Sequence, residues 1–233
     1  MVAATVGISA AAAGLTHVSG FTHGGDATKL CLSGVYLGQL IVAALAVVAI
    51  SEEWATGMIR ATLAALPRRI SVVMAKAAIL GGLTAAAGVV AVAGCLAIGR
   101  LMLPANGLAP THGYALISLS SGTTIRAAGG SVLYMALIAL LSLGVATLIR
   151  DTAVSIGVVV ALLYLPPLLA QIVGGALGRH IKELAPMSAG LAIQATTHLR
   201  RLPIQPWAGL GVLAAWAGVS LLLAGVTIRM RDV

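Results

Sequence analysis

The chain is poor in charged and aromatic residues. Of its 233 residues 9% are charged and 3% are aromatic, and there is one phenylalanine. Soluble globular chains are about 25% charged. With 60% hydrophobic residues, a soluble fold of this length could not hide its apolar surface, so the excess must face lipid. The composition therefore predicts an integral membrane protein.

Several chemical motifs are also missing. The sequence has no G-x-x-x-x-G-K-[ST] loop to cradle ATP phosphates and no H-E-x-x-H metal motif. The histidines lack close metal-ligand spacing. The five histidines are His17, His23, His112, His180 and His198. We therefore expect no enzyme activity, cofactor or metal in this chain. Cys31 and Cys95 lie in or beside apolar runs, and we interpret both as small buried side chains.

Acidic residues are few, and none falls deep in an apolar run. The six acids are Asp26, Glu52, Glu53, Asp151, Glu183 and Asp232. Ion-coupled transporters and proton relays generally use ionisable groups within the membrane. A transporter with neither an ion relay nor an ATP site needs a partner that supplies energy.

The formal charge is +8, which in a soluble protein would suggest nucleic-acid binding. Here the basic residues sit mostly at the ends of apolar runs and in the connections, where they suit anionic head groups. The charge therefore indicates membrane lipid, and not nucleic acid, as the partner.

Six apolar segments follow one another along the chain. They cover residues 2–15, 30–50, 71–98, 130–149, 152–173 and 207–228. They are continuously apolar, so they predict membrane helices and exclude barrel strands.

Arg150-Asp151 is predicted to form a very tight turn, and Pro166-Pro167 to kink the far end of segment five. Segment one reaches only about 21 Å against a core of about 30 Å, so we expect either an upstream start or a weakly anchored first helix.

The density of Lys and Arg predicts the orientation. The density of Lys and Arg is higher in 51–71, 150–151 and 229–233 than in the opposite connections. The number of Lys and Arg residues, in contrast, does not favour this side. The basic residues on the denser side are Arg60, Arg68, Arg69, Arg150, Arg229 and Arg231. This side is predicted to be cytoplasmic, with both termini on it.

Residues 51–69 combine charge with an amphipathic pattern. On a helical wheel Trp54 and Met58 share one face, while Glu53, Gly57 and Arg60 lie on a polar face. Pro67 ends the pattern. The wheel predicts a helix lying along the membrane interface, and an ordinary solvated loop is the alternative.

Small residues are spaced four apart on two segments. Gly82 and Ala86 form one such pair, and Gly211 and Ala215 form the other. Such pairs let helix backbones approach closely. They indicate either a tightly packed bundle or dimer face, or chance spacing in an alanine-rich chain.

The run Glu53-Trp54-Ala55-Thr56-Gly57-Met58-Ile59-Arg60-Ala61-Thr62-Leu63, followed by Pro67-Arg68-Arg69 and Ala75-Lys76, resembles the cytoplasmic signature of ABC-2 type transporter permeases. That signature is roughly E-[YF]-x-x-G-T-I-R-x-T-L, then P-x-R and A-K. Met58 stands where threonine is commoner. The likeness extends to the tight turn at 150–153, to Leu184-Ala185-Pro186 and to the closing segment, and covers residues 40–233. The amphipathic elbow that usually precedes the family's first span is absent.

The resemblance implies one all-α permease domain over residues 1–233, with about six transmembrane helices in the cell membrane. It also implies an ATPase in a separate ATP-binding subunit, and a homodimer or heterodimer of permeases. Residues 51–69 would be a cytoplasmic coupling helix, and 174–206 a short re-entrant outer hairpin. The coupling residues would be Glu53, Gly57, Arg60, Leu63, Arg68 and Arg69.

Two other functions remain open on sequence grounds. A secondary transporter driven by an ion gradient would need an acid within a span. A non-transporting membrane scaffold or assembly factor is compatible with the composition. The sequence does not name a transported substrate.

Overall fold

The computed structural model describes residues 1–15, 27–55, 69–105, 121–197, 199 and 202–230. These residues form helices and connections, and no strand occurs among them. The helices are α1 (Val2–Leu15), α2 (Ala27–Cys31), α3 (Val35–Ala55), α4 (Arg69–Ala105), α5 (Gly122–Ile149), α6 (Thr152–Val173), α7 (Gly175–Leu184), α8 (Pro186–Leu191) and α9 (Pro206–Met230), with 3₁₀ turns at Leu32–Gly34 and Ala192–Gln194.

Five of the described helical segments are long and apolar enough to cross a membrane. They are Leu32–Glu52, Val73–Leu101, Gly122–Ile149, Thr152–Val173 and Pro206–Met230. The chain is therefore an all-helical, multi-pass membrane protein, as the composition predicts. The remaining predicted span, segment one, corresponds to α1. This helix has 14 residues and is short for a crossing.

α5 begins earlier than predicted, at Gly122 instead of near residue 130. Ser121 caps the helix, and its side-chain oxygen accepts a hydrogen bond from the Thr124 N–H at 3.3 Å. Arg126, in the added turns, donates from Nη2 to the Ala195 carbonyl at 2.6 Å. The polar residues that made this stretch look like a loop are thus a helix cap and a contact to the chain that follows the 3₁₀ turn Ala192–Gln194.

The tight turn between α5 and α6 is confirmed. Arg150 has φ 63°, the left-handed conformation that ends many helices, and its N–H bonds to the Ala146 carbonyl at 2.9 Å. Asp151 then caps α6, with Oδ1 accepting from the Val154 N–H at 2.8 Å. α6 continues through Pro166 and Pro167 to Val173.

α5 is the central helix of the bundle. It packs against α3, α4, α6 and α9, and its side chains from Leu141 to Thr147 are all buried. We call the end of the bundle that carries the Arg150-Asp151 turn the turn end. The opposite end, which carries α7 and α8, is the hairpin end.

Close backbone approaches occur at glycines that the sequence analysis did not single out. A Cβ on Gly190 would lie 2.6 Å from Tyr134 Cε2, and a Cβ on Gly144 would lie 2.8 Å from the backbone of Ser220. In contrast, Gly82 and Gly211 have nothing within 4 Å of a built Cβ. Among the described residues, the two predicted small-residue pairs therefore do not join helices.

α1 packs on α4 and on the start of α3. The buried Ser9 hydroxyl accepts a hydrogen bond from the Gly34 N–H at 3.0 Å. On α4, a Cβ on Gly94 would lie 2.9 Å from a Val6 methyl group. These contacts hold the short helix to the bundle.

Candidate functional site

The predicted coupling residues lie mostly outside the described residues. Gly57, Arg60, Leu63 and Arg68 are outside them altogether. Two others belong to described helices at the backbone only: these are Glu53, in the last turn of α3, and Arg69, the first residue of α4. The amphipathic coupling helix is therefore still a prediction from the sequence.

The flanks of that segment are described, and they converge. One shallow cavity of about 350 Å³ is lined by Ala49 and Ile50 of α3, by Lys76 of α4 and by Leu143 of α5. The end of α3 and the start of α4 therefore lie side by side at the turn end. This is the same end of the bundle as the turn at Arg150 and Asp151.

A buried polar network, missed by the sequence analysis, crosses the middle of the bundle. Its centre is Gln39 of α3, which is fully buried. Gln39 Oε1 accepts a hydrogen bond from the Tyr134 hydroxyl of α5. Gln39 Nε2 lies 2.8 Å from the Tyr164 hydroxyl oxygen of α6 and 3.4 Å from Met187 Sδ of α8. One amide thus links four helices.

The network ends on the backbone of α3. Tyr164 accepts from Gln39 and donates its own hydroxyl proton to the Tyr36 carbonyl at 2.6 Å. An unpaired amide or hydroxyl is costly in an apolar interior, and each of these groups has a partner. The network therefore fixes α3, α5, α6 and α8 in one arrangement.

Above this network, at the hairpin end, lies a cavity of about 550 Å³. It is lined by the start of α3, the end of α6, α7, α8 and the approach to α9. The lining residues are Lys29, Tyr36, Tyr164, Pro167, Leu168, Gln171, Lys182, Met187, Ser188, Leu191, Ala192, Ala195, Leu202, Pro203 and Ile204. Tyr164 and Met187 belong to both features, so the polar network forms part of the cavity floor.

The predicted outer hairpin, 174–206, consists of α7, α8 and a 3₁₀ turn in its described part. Residues 185–195 are buried except for Ser188, which is half-buried. Trp216 Nε1 of α9 donates to the Leu184 carbonyl at 3.0 Å. Of the basic residues in this region, Lys182 lines the cavity and Arg179 is exposed, while Arg200 and Arg201 lie outside the described residues.

A second polar cluster joins the hairpin to α5. Gln194 Nε2 donates to Ser131 Oγ at 3.2 Å, and Ser131 donates to the Ala127 carbonyl at 2.8 Å. Gln194 Oε1 and Arg126 Nε are buried without a hydrogen-bond partner among the described residues. This cluster pins the chain that follows α8 to the start of α5.

A signal for the network was present in the sequence. Gln39 and three of the four tyrosines stand inside or at the edge of apolar runs. Amides and hydroxyls carry no charge, so they do not stand out in an apolar run as acids and histidines do. Among the described residues no group of three His, Cys, Asp or Glu side chains is placed to hold a metal ion. Cys31 and Cys95 are both buried and free, as interpreted from the sequence.

Comparison of the chain with protein-family models, with curated proteins and with solved structures gives no match.

Proposed function

We propose that the chain is the membrane-spanning permease subunit of an ATP-binding-cassette exporter of the ABC-2 type. It moves its substrate across the cell membrane, and a separate subunit hydrolyses the ATP. Both termini lie in the cytoplasm. The main support is the signature-like run in residues 53–69 of the sequence, together with its described flanks, the end of α3 and the start of α4, which lie side by side at the turn end.

The distribution of ionisable groups favours an external energy source. Among the described spans the acidic residue is Glu52, the last residue of its span. The polar centre of the bundle is built from an amide, hydroxyls and a thioether, and these groups do not change charge in an ion-coupled cycle. Energy from a docked ATPase fits this interior better than an ion gradient does.

The role of 51–69 follows from its position. A soluble ATPase must pass its movement into the bundle through an element that touches both. The segment follows α3 and precedes α4 in the chain, so a helix formed by it would move two spans when it is displaced. Glu53 and Arg60 would orient it, Gly57 would allow close approach of a backbone, and Arg68 would face head groups or the ATPase.

The remaining family features belong to the same proposal. α1 serves as the first of six spans, and two permeases form the transporter. Residues 174–206 form a re-entrant outer hairpin. The burial of residues 185–187 and 189–195 and the bond from Trp216 to the Leu184 carbonyl support a segment that folds back into the bundle.

Co-purification with an ATP-binding subunit tests this function. The candidate subunit is one encoded by a neighbouring gene that carries a Walker A motif. Arg60→Ala and Gly57→Leu should leave the chain inserted but weaken ATPase docking or transport, by about 1–3 kcal/mol for a partly buried contact. Charge reversal at Arg200 and Arg201, on the predicted outer side, is the matched control and should leave docking unchanged.

The outcomes separate the alternatives. If no ATPase associates, the scaffold or assembly role gains support. If transport proceeds without an ATPase and follows an ion gradient, the secondary-transporter role replaces the proposal. Substrate-stimulated ATP hydrolysis by the reconstituted complex would support the exporter. Full docking and transport in both Arg60→Ala and Gly57→Leu would refute the coupling role of 51–69.

A further inference from the structure

α7 (Gly175–Leu184) is an amphipathic helix whose apolar side chains are exposed. On a helical wheel Leu177, Ile181 and Leu184 form one stripe, and Arg179 lies about 200° around the helix from Leu177. Leu177 is 62% exposed and Leu184 is 66% exposed, and Arg179 is exposed on the opposite face. α7 therefore has an apolar stripe that the described residues leave uncovered.

The packing of α7 on α6 indicates its depth in the membrane. Gly178 lies against the last turn of α6, because a Cβ there would lie 2.6 Å from the Ala170 carbonyl oxygen. Ala170 is 19 positions after Asp151 (170 minus 151), which corresponds to about 28 Å along a helix. The hydrocarbon core of a bilayer is about 30 Å thick. With the turn end at one membrane boundary, α7 therefore lies at the level of the other.

Two further contacts hold the end of α7. Trp216 Nε1 of α9 donates to the Leu184 carbonyl at 3.0 Å, and Ser188 Oγ of α8 donates to the Lys182 carbonyl at 2.6 Å. These donors satisfy carbonyls that the end of a helix leaves open. α7 is thus attached to α6 at Gly178 and to α9 at its last residue, so that it crosses the bundle at the hairpin end.

The exposed apolar surface of α7 adjoins that of α6. Ile172 and Val173, the last two residues of α6, are 75% and 51% exposed. Because α6 is an apolar span, exposed apolar side chains at its end face lipid. Three residues separate Val173 from Leu177 in the chain. The lipid that covers the end of α6 is therefore next to the apolar stripe of α7.

We propose that α7 is an interfacial helix, which inserts Leu177 and Leu184 among lipid acyl chains and places Arg179 at the level of the lipid phosphates. Such helices bury their apolar face about 5–10 Å into the boundary between head groups and acyl chains, and Arg donates strongly to phosphate. The hairpin is thereby divided. α7 binds the lipid surface, and α8 with the following 3₁₀ turn packs inside the bundle. The inference requires that α6 crosses the membrane, and it does not depend on an ATPase partner.

Spin labels on the full chain test the inference. After replacement of the two native cysteines, single labels are attached at Leu177→Cys, Leu184→Cys or Arg179→Cys, and each chain is reconstituted in vesicles of phosphatidylcholine and phosphatidylglycerol. Oxygen collects among acyl chains, whereas a charge-neutral nickel chelate stays in water. The ratio of oxygen to nickel collisions should be at least about threefold higher at the two leucine positions than at Arg179. Melting temperatures verify that the labelled chains are folded.

Photo-crosslinking uses the unmodified chain, so it does not depend on a variant folding. A phosphatidylcholine that carries a diazirine on its acyl chain should modify Leu177 and Leu184 but not Arg179, and mass spectrometry of the peptides locates the modified residues. Ile172 is the positive control, because it belongs to the span α6 and is 75% exposed.

Two results would overturn the proposal. If the nickel chelate reaches Leu177 and Leu184 as readily as Arg179, the helix stands in water. If neither oxygen nor nickel reaches the two leucines, and the diazirine modifies Ile172 but leaves them unmodified, then protein covers the stripe, for example a second copy of this chain.

Discussion

At the scale of single residues, Gln39 is a position at which a substitution would affect contacts to three other helices. Its amide is buried among spans, and it makes contacts with Tyr134, Tyr164 and Met187. Losing a partner leaves a polar atom without water or protein to bond, which costs more than the bond itself contributes. Hydrogen bonds between membrane helices contribute about 0.6 kcal/mol on average, and up to about 1.7.

Removing one hydroxyl tests this network. Tyr134→Phe deletes the donor to Gln39 Oε1 and should destabilise the bundle by about 1 kcal/mol. Tyr36→Phe is the control, because the Tyr36 side chain has no hydrogen-bond partner among the described residues and its carbonyl remains. Unfolding in mixed detergent micelles measures both variants.

A double-mutant cycle completes the test. Because Tyr134 and Gln39 share one hydrogen bond, Tyr134→Phe combined with Gln39→Leu should cost less than the sum of the single changes. Strict additivity, or equal stability of Tyr134→Phe and Tyr36→Phe, would show that the network does not stabilise the fold.

At the scale of elements, the packing of the helices depends on glycines, which have no side chain and let two helices approach closely. α8 reaches the centre of the bundle because Gly190 lets it approach Tyr134 and Leu213. α9 approaches α5 at Gly144, opposite Ser220. Between membrane helices, van der Waals packing of this kind takes the place of the hydrophobic effect.

Adding one methyl group tests this packing. Gly190→Ala should destabilise the bundle by about 1–3 kcal/mol, because its Cβ would lie 2.6 Å from Tyr134 Cε2. Gly82→Ala is the control: the position is helical and open, so the change should be neutral or stabilise by up to about 1 kcal/mol. Thermal unfolding measures the stability of both variants. Equal melting temperatures would contradict the assigned packing of α8.

At the scale of the whole molecule, the two ends of the bundle differ in chemistry. The turn end carries the close turn at Arg150 and the flanks of 51–69. The hairpin end carries α7, α8 and the cavity with Lys29 and Lys182. The orientation predicted from the density of Lys and Arg would put the turn end in the cytoplasm.

Thiol labelling in intact cells measures that orientation. After replacement of Cys31 and Cys95, single cysteines near Thr56 and Met230 should react only with membrane-permeant reagents. A cysteine near Ser188 should react with impermeant reagents, because it would lie on the outer side. Labelling of the Thr56 site from outside would reverse the topology.

The sequence predicted the fold class well and the site poorly. Apolar runs are long and uninterrupted, so helices such as α6 follow from composition and length, with bounds Thr152–Val173 as predicted. The start of α5 was missed because Ser121 and Arg126 are polar in isolation and acquire partners only in the folded chain. The signature segment was recognisable as a sequence pattern, and its contacts are still a prediction.

The sequence by itself determined that this chain is an integral membrane protein, that it is helical, and that α5 and α6 meet in a tight turn. Each of these depends on local properties: hydropathy, run length and the cap at Asp151. Only the tertiary structure decided which glycines join helices, that Gln39 binds two tyrosines from other spans, and that Lys29 and Lys182 line one cavity. The lysines are 153 positions apart in the chain (182 minus 29). Such meetings depend on how the helices pack, and no local pattern encodes them.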